Sequence, residues 1–327
     1  MDTLSPGCKI NVFLHLLGRR PDGYHDLFSL FLPLSEPHDI MRIEERQGEG
    51  CRLRCAVEGI DLEKNTVTKA WRLFADATGY APALDVELVK GVPHGAGLGG
   101  GSADAAEMLL WLNAHSSRKL ERAELDALAA RIGADVPFFL EGKPCIVEGI
   151  GEKLTPLDAD SEWLAPLRGS YGLLLCPAVQ VNTAWAYGAW DAAHPDAEVP
   201  AAKGFNFKDQ DIIPESAAGA EKSAFSASSD PSKALTESAV PDKNLCSVFF
   251  PPLRVENGFE SVVFARWPEL AELKTLLLRQ GAFAAGMSGS GASLFGFFRS
   301  REDAGRCAAC IGESDDGCKV YPFSACF

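Results

Sequence analysis

Mixed α and β structure in two domains is what the sequence predicts, and three observations predict it. The chain has 327 residues, enough for a large core and more than one domain. Stretches of period-two apolar alternation take turns with stretches of helical spacing along most of its length. A strand, a glycine-rich loop and a helix follow one another around Gly97, and a second glycine-rich loop around Gly289 runs into an apolar strand. The expected domains are 1–158 and 159–327, with a hinge across Asp158–Trp163. The second domain contains a stretch at about 201–244, rich in Ala, Ser, Lys, Asp and Glu without clear periodicity, which reads as a partly disordered surface insertion.

Composition narrows the function. The chain is 46% hydrophobic and 23% charged, an ordinary balance for a soluble globular protein. With 31 Lys and Arg against 45 Asp and Glu, the net charge is −14. That argues against a general nucleic-acid binder, which needs a basic face, but not against a local basic pocket for a nucleotide. Met1 to Pro6 lacks the charged and apolar regions of a signal peptide. No apolar run reaches the length of a spanning helix, so a cytoplasmic location away from membranes is expected. The ten cysteines are expected to be reduced thiols. Cys307-x-x-Cys310 lies in a helix-like stretch with no second pair at zinc-ribbon spacing, and reads as buried thiols rather than a metal or redox site.

Cys8 to Leu16 reads as a strand whose alternation places Lys9, Asn11 and Phe13 on one face. Gly18 to Gly23 is a turn with Pro-Asp-Gly chemistry, Tyr24-His25 follow, and Leu27 to Leu32 is a second strand. Asp39 to Ile43 and Cys51 to Val57 are short strands. Asn65 to Thr78 is a helix with Val67, Ala70, Leu73, Phe74 and Ala77 on one face.

The strand Leu84 to Lys90 leads into Pro93-His94-Gly95-Ala96-Gly97-Leu98-Gly99-Gly100-Gly101-Ser102, five glycines within seven residues. Glycine permits positive φ and close approach of backbone to a ligand. Ser102 is the expected N-cap of the helix beyond. Free amides and the helix dipole at that point make an anion site suited to phosphate. A Walker A loop ends in Gly-Lys-Ser/Thr, and Gly101-Ser102 has no lysine between. In a Rossmann fingerprint the closing small residue would fall at Ser102, and the strand would be the first of its sheet; this one is not.

Arg118 to Ile132 is an amphipathic helix ended by Gly133. Asp135 is then a lone acid ahead of the apolar run Val136-Pro137-Phe138-Phe139, where a turn aspartate is the plain reading. Pro144 to Glu152 forms a strand and a Gly-x-Gly-Glu turn. Tyr171 to Cys176 is a strand, and Val181-Asn182-Thr183 opens a helix with Thr183 as the expected cap. Pro268 to Gln280 is an amphipathic helix. Gly286 to Gly296 holds the second glycine loop, and a helix near Arg301 to Ile311 and a strand, Lys319 to Phe323, close the chain.

Pro-x-Gly-x-Gly-Leu-Gly-Gly-Gly-Ser at 93–102 resembles the phosphate loop of the GHMP kinases. Lys9-Ile10-Asn11-x-Phe13-Leu14 with Arg20-x-Asp22-Gly23-Tyr24-His25 resembles the branch of that family that phosphorylates a cytidyl diphosphate sugar-alcohol. Gly133-Ala134-Asp135-Val136-Pro137-Phe138-Phe139 resembles the family's catalytic-base motif, and Gly286-Met287-Ser288-Gly289 its C-terminal loop over the active site. The implied fold is α+β and two-domain: an N-terminal ribosomal-protein-S5-like α/β domain, a C-terminal ferredoxin-like α+β domain, and the active site in the cleft between. The implied reaction moves the γ-phosphoryl of ATP onto the 2-hydroxyl of that substrate, in non-mevalonate isoprenoid precursor synthesis, with Mg2+. Monomer or homodimer are the implied assemblies.

By the same resemblance, Lys9 and Asp135 would be catalytic. Asn65 would lie near the adenine, and Pro93, Gly95, Gly97, Leu98, Gly99, Gly100, Gly101 and Ser102 would hold the phosphates. Asn11, Tyr24, His25, Tyr187, Ser288 and Gly289, with Asp135, would meet the substrate: Tyr24 by stacking on the cytosine, His25 by hydrogen bonding, and Tyr187 (or its rival Trp185) as a second aromatic. Many members carry two serines after the triple glycine; here the second is Ala103, so no protein metal ligand is assigned. The alternatives are a mevalonate or homoserine kinase type of the same family, or a non-catalytic ligand sensor. Tyr24-His25 speaks against the first, whose substrates have no base. Retention of Lys9 and Asp135 speaks against the second.

Overall fold

The structure, a computed structural model, describes residues 1–57, 65–195, 197, 255–314 and 317–325. The stretch expected as an insertion at about 201–244 lies outside the described residues. In chain order the described residues form β1 (Asp2–Leu4), β2 (Cys8–Arg19), β3 (His25–Leu34), β4 (Ile40–Glu45), β5 (Cys51–Cys55), α1 (Thr66–Thr78), β6 (Leu84–Val89), α2 (Gly100–His115), α3 (Arg122–Ile132), α4 (Val136–Glu141), β7 (Cys145–Gly149) and β8 (Lys153–Pro156). After a 3-10 turn at Ala165–Leu167 come β9 (Tyr171–Cys176), α5 (Thr183–Ala193), α6 (Glu260–Arg266), α7 (Pro268–Arg279), β10 (Ala284–Met287), β11 (Leu294–Phe298), α8 (Arg301–Ser314) and β12 (Lys319–Ser324).

The described strands make three four-stranded sheets, ordered β1-β4-β6-β5, β2-β3-β7-β8 and β10-β11-β9-β12. In the first, β5 and β6 are parallel, as a crossover through α1 requires. The third is antiparallel throughout, and its β-α-β-β-α-β run has the strand order of a ferredoxin-like unit.

Two clusters form the core. In one, Met41, Ile43, Val86 and Leu88 of the first sheet pack on Phe74 of α1, Met108, Leu109 and Leu112 of α2 and Leu128 of α3. The Ala-rich start of α2 (Ala103, Ala105 and Ala106, all buried) lets that helix lie close between its neighbours. The other cluster joins Leu14, Phe31 and Val147 of the second sheet to Leu173, Phe259, Leu277, Met287 and Phe298. It draws on both sides of residue 158, and the described residues on both sides belong to one compact unit.

Local chemistry moved several expected boundaries. Gly99, with φ 72°, stands at the N-cap of α2, so Ser102 lies inside the first turn and not at its head. A left-handed cap is open to glycine and strained for serine. Asn182 caps α5 by accepting from the Trp185 amide; Thr183 instead hydrogen-bonds to Ser290 at 2.9 Å. The helix expected from Arg118 begins at Arg122, because Glu121 and Glu124 form a reciprocal capping box. Ser116 meanwhile holds Arg118 in a turn by bonds of 2.9 and 3.1 Å. The run after Asp135 is the helix α4, with Pro137 in its first turn, where a missing amide costs nothing.

Candidate active site

Strand β2 delivers the first group. Its register with β3 slips after Asn11 and again after Leu16, each slip adding one residue to β2. Lys9 and Asn11 therefore share the face of Ser29 and Phe31, while Phe13 turns to the other face and stacks on Phe28 at 5.4 Å. The expectation that Phe13 joins Lys9 fails because alternation breaks at the bulge. Lys9 is 4% exposed. Its ammonium donates to Asn11 Oδ1 at 2.6 Å, lies 4.6 Å from the centre of the Phe31 ring, and stands 3.7 Å from Asp135 Oδ2. The last distance is an ion pair, too long for a hydrogen bond. Burial draws the Lys9 pKa down, and Asp135 opposes this.

Asp135 sits at the N-cap of α4, but its carboxylate makes no capping bond, which leaves its oxygens for Lys9 and for a ligand. It is about one-third exposed on its side chain, 31%. A Cβ at Gly151 would come within 3.9 Å of Asp135 Oδ1, and one at Gly133 within 4.0 Å of Ser102 Oγ. The turn after β7, the Asp135 loop and the head of α2 thus converge on one spot.

The glycine loop is shaped by a neighbour as well as by any ligand. The Ser288 hydroxyl donates to the Gly97 carbonyl at 3.1 Å, and the Ser293 amide donates to Ala96 at 3.3 Å. A Cβ on Gly97 (φ +77°) would lie 2.2 Å from the Ser288 carbonyl oxygen, so the two glycine loops meet backbone to backbone. Gly97→Ala is expected to lower the thermal midpoint and to raise the KM for ATP at least tenfold. Steady-state kinetics checks this, and an unchanged KM would mean the loops can part freely. At the head of α2, Ser102 and Ala103 donate the first bonds to Gly99, which leaves the earlier amides directed outward. The Thr66 hydroxyl, beside the helix cap Asn65, donates to Gly101 at 2.6 Å. Leu98 is buried, and its carbonyl accepts from the Lys9 amide at 2.9 Å.

Asn11 and Ser288 were expected against the substrate. They are 2% and 0% exposed. The Asn11 amide group donates to Ser29 at 3.0 Å, and its backbone amide donates to Ser288 at 3.2 Å. Both are turned into the protein, where they hold Lys9 and the loops. Gly289 approaches the Gly97 backbone closely, and its carbonyl accepts from Asn257 at 2.8 Å.

On the other flank, the hairpin turn before β3 presents Tyr24, 60% exposed, over a turn closed by the Arg20 amide bonding to the Tyr24 carbonyl at 2.7 Å. His25 is buried and stacks on Tyr187 of α5 at 4.7 Å and 29°. Trp185, the rival aromatic, packs instead on Trp267 at 5.0 Å. Burial, and then the charge of Asp135, push the Tyr187 hydroxyl up to about 12. Phe138 of α4, the helix headed by Asp135, shares one apolar cluster with Tyr187, so the Lys9–Asp135 pair and the aromatic flank adjoin.

Sequence reasoning missed the support of this site. Asp39, Lys90 and Asp104 are a buried triad under the glycine loop. Lys90 bridges Asp39 and, at 2.7 Å, Asp104; Asp39 also accepts from the amides of Gly91 and Val92 at 2.7 and 2.8 Å. The usable signal was Asp104, an acid inside the Ala-rich start of a helix. Asn257 supports the second glycine loop by donating to the carbonyls of Met287 and Gly289. Among the described residues no group of three His, Cys, Asp or Glu could hold a metal ion, and no helix is long and apolar enough to cross a membrane. The eight described cysteines are free thiols.

Comparison with known proteins comes last. Residues 65–143 match the family model of the GHMP kinases N terminal domain, and 246–315 that of the GHMP kinases C terminal domain. The chain is 48% identical over 302 residues to a 4-diphosphocytidyl-2-C-methyl-D-erythritol kinase of Nitratidesulfovibrio vulgaris, covering 92% of each chain. It is 39% identical over 299 residues to the kinase of that name from Lawsonia intracellularis, covering 91% of this chain and 88% of the relative. Among solved structures, a 4-(cytidine 5'-diphospho)-2C-methyl-D-erythritol kinase superposes with a TM-score of 0.68 at 27% identity over 99% of both chains. A homoserine kinase from Cytophaga hutchinsonii shares the fold, with a TM-score of 0.63 at 19% identity over 98% of this chain and 93% of that one.

Proposed function

We propose, for a chain that belongs to the 4-diphosphocytidyl-2-C-methyl-D-erythritol kinase family of the GHMP kinases, that it transfers the γ-phosphoryl group of ATP to the 2-hydroxyl of 4-diphosphocytidyl-2-C-methyl-D-erythritol in isoprenoid precursor synthesis. The observation that carries this reading is the double reach of Asp135. It pairs with Lys9 at 3.7 Å, and Phe138 of the helix that it heads packs in one apolar cluster with Tyr187 of α5. A base and a cation for alcohol chemistry thus stand beside aromatic rings suited to a nucleobase.

Phosphoryl transfer depends on positioning and charge stabilisation. In our reading the loop Pro93, Gly95, Gly97, Leu98, Gly99, Gly100, Gly101 and Ser102 receives the β- and γ-phosphates, chiefly through backbone amides at the head of α2, with Asn65 near the adenine. The carboxylate of Asp135 takes the proton of the 2-hydroxyl or orients that oxygen. Lys9, held by Asn11, neutralises charge that develops on the transferred group. Mg2+ usually rides on substrate phosphates with few protein ligands; when bound it would neutralise the phosphate oxygens.

Tyr24 stacks on the cytosine, Tyr187 is the second aromatic, and His25 hydrogen-bonds the base. Tyr24→Ala is expected to raise the KM for the cytidyl substrate about tenfold, from a stacking contribution of about 1–3 kcal/mol, with the KM for ATP unchanged. An unchanged substrate KM would remove the stacking role. We read the domain division near residue 158, the cytoplasmic location and a monomeric or homodimeric state as part of the same proposal. The deciding experiment follows ADP release with ATP, Mg2+ and the cytidyl substrate, with mevalonate and homoserine alongside. Turnover with the cytidyl substrate alone is expected. Turnover with either of the others instead, or with none, overturns the reading.

A further inference from the structure

His25 has one ring nitrogen left for a ligand. The ring is 8% exposed. Its Nε2 lies 2.5 Å from Asp191 Oδ1, Tyr187 covers one face at 4.7 Å, and Trp190 meets it edge-on at 5.7 Å. A carboxylate oxygen accepts and cannot donate, so the hydrogen between the two groups belongs to Nε2. The other oxygen of Asp191 stands 3.7 Å from the guanidinium of Arg19. A neutral ring with its hydrogen on Nε2 carries only a lone pair on Nδ1.

We infer that Asp191 is a positioning residue that makes this site select cytosine over uracil, by fixing His25 as a hydrogen-bond acceptor at Nδ1. This rests on the reading above that His25 meets the base. Cytosine carries an amino donor at its 4-position, where uracil carries a carbonyl acceptor. A lone pair meets the first as a hydrogen bond and the second as two opposed acceptors, one of them left unpaired in a desolvated site. One helix supplies both parts of the device: Tyr187 and Asp191 are four residues apart on α5, hence on one face.

The test is competition by CDP and by UDP against the cytidyl substrate, in the parent enzyme and in D191N and D191E. The amide of D191N can donate to Nε2 as well as accept from it, so the ring hydrogen is free to move to Nδ1. The parent is expected to favour CDP at least tenfold. D191N is expected to bring the ratio of inhibition constants close to one, partly by gaining affinity for UDP, and D191E to restore the preference. Equal weakening of both diphosphates in D191N, with the ratio kept, would make Asp191 merely structural and overturn the inference while leaving the base reading standing. A parent enzyme inhibited by neither diphosphate would overturn both. Should D191N fail to fold, nitrogen-15 shifts of His25 in the parent read the tautomer directly: a bare Nδ1 supports the inference and a protonated Nδ1 overturns it.

Discussion

Asp135→Asn is expected to turn over at least a hundredfold more slowly than the parent enzyme, with its affinity for ATP unchanged. The amide keeps the shape of the carboxylate but cannot take a proton, and a positioned general base is worth about 10²–10⁴ in rate. Because the Asp135 carboxylate makes no capping bond to α4, the substitution leaves the helix start intact and the loss is chemical. Lys9→Ala is expected to lose as much in turnover and, besides, some stability, since it leaves Asn11 Oδ1 without its 2.6 Å donor. The two losses should not add, because each residue acts through the pair. Single-turnover phosphoryl transfer, with ATP binding by calorimetry, separates the effects. Ordinary turnover in both variants would remove the pair from the mechanism.

The second large effect lies under the phosphate loop. Asp39 and Asp104 are 0% and 1% exposed and share the ammonium of Lys90. Lys90→Met leaves two buried carboxylates with no cation, and breaking such a pair costs about 3–5 kcal/mol. Burial pushes Asp104 up to about 7; Lys90 resists this and Asp39 adds to it. The folded state therefore binds the Asp104 proton more tightly than the unfolded chain does. Stability from this group is full below the ordinary carboxylate range and is lost as pH rises through about 7. Asp104→Asn carries no such charge. Relative to that variant, the parent enzyme is expected to lose on the order of 2–3 kcal/mol between pH 5 and pH 8. Urea unfolding at both values checks it; parallel pH dependence in the two proteins would show that Asp104 titrates normally.

The residues that the structure gathers at the site were largely legible in the sequence, and what supports them was not. Lys9, Asp135 and the glycine loop each sit in a local pattern, and local patterns survive without coordinates. The strand–loop–helix order around Gly97 was readable for the same reason. What escaped depends on contacts between distant segments. The side of β2 that Phe13 occupies follows from an added residue in the register with β3, which alternation within one strand cannot reveal. Asn11 and Ser288 were expected at the substrate through the family resemblance, yet their partners Ser29 and Gly97 lie elsewhere in the chain. Asp39 and Lys90 stood only as the ends of expected strands, and it is the fold that brings Asp104 to them.

The meeting of the two glycine loops also bears on when the enzyme can exist during its own synthesis. The bond from Ser288 to Gly97 spans 191 positions, and that from Asn11 to Ser288 spans 277. Contacts of such separation close late, after the loop entropy between them has been overcome. A ribosome-bound chain that has emerged through α4 already owns Lys9, Asp135 and every glycine of the first loop, yet it lacks the bonds from Ser288 and Ser293 that hold Gly97 and Ala96. The first loop therefore reaches its full set of contacts only when the last eighth or so of the chain, from Ser288 on, has been made.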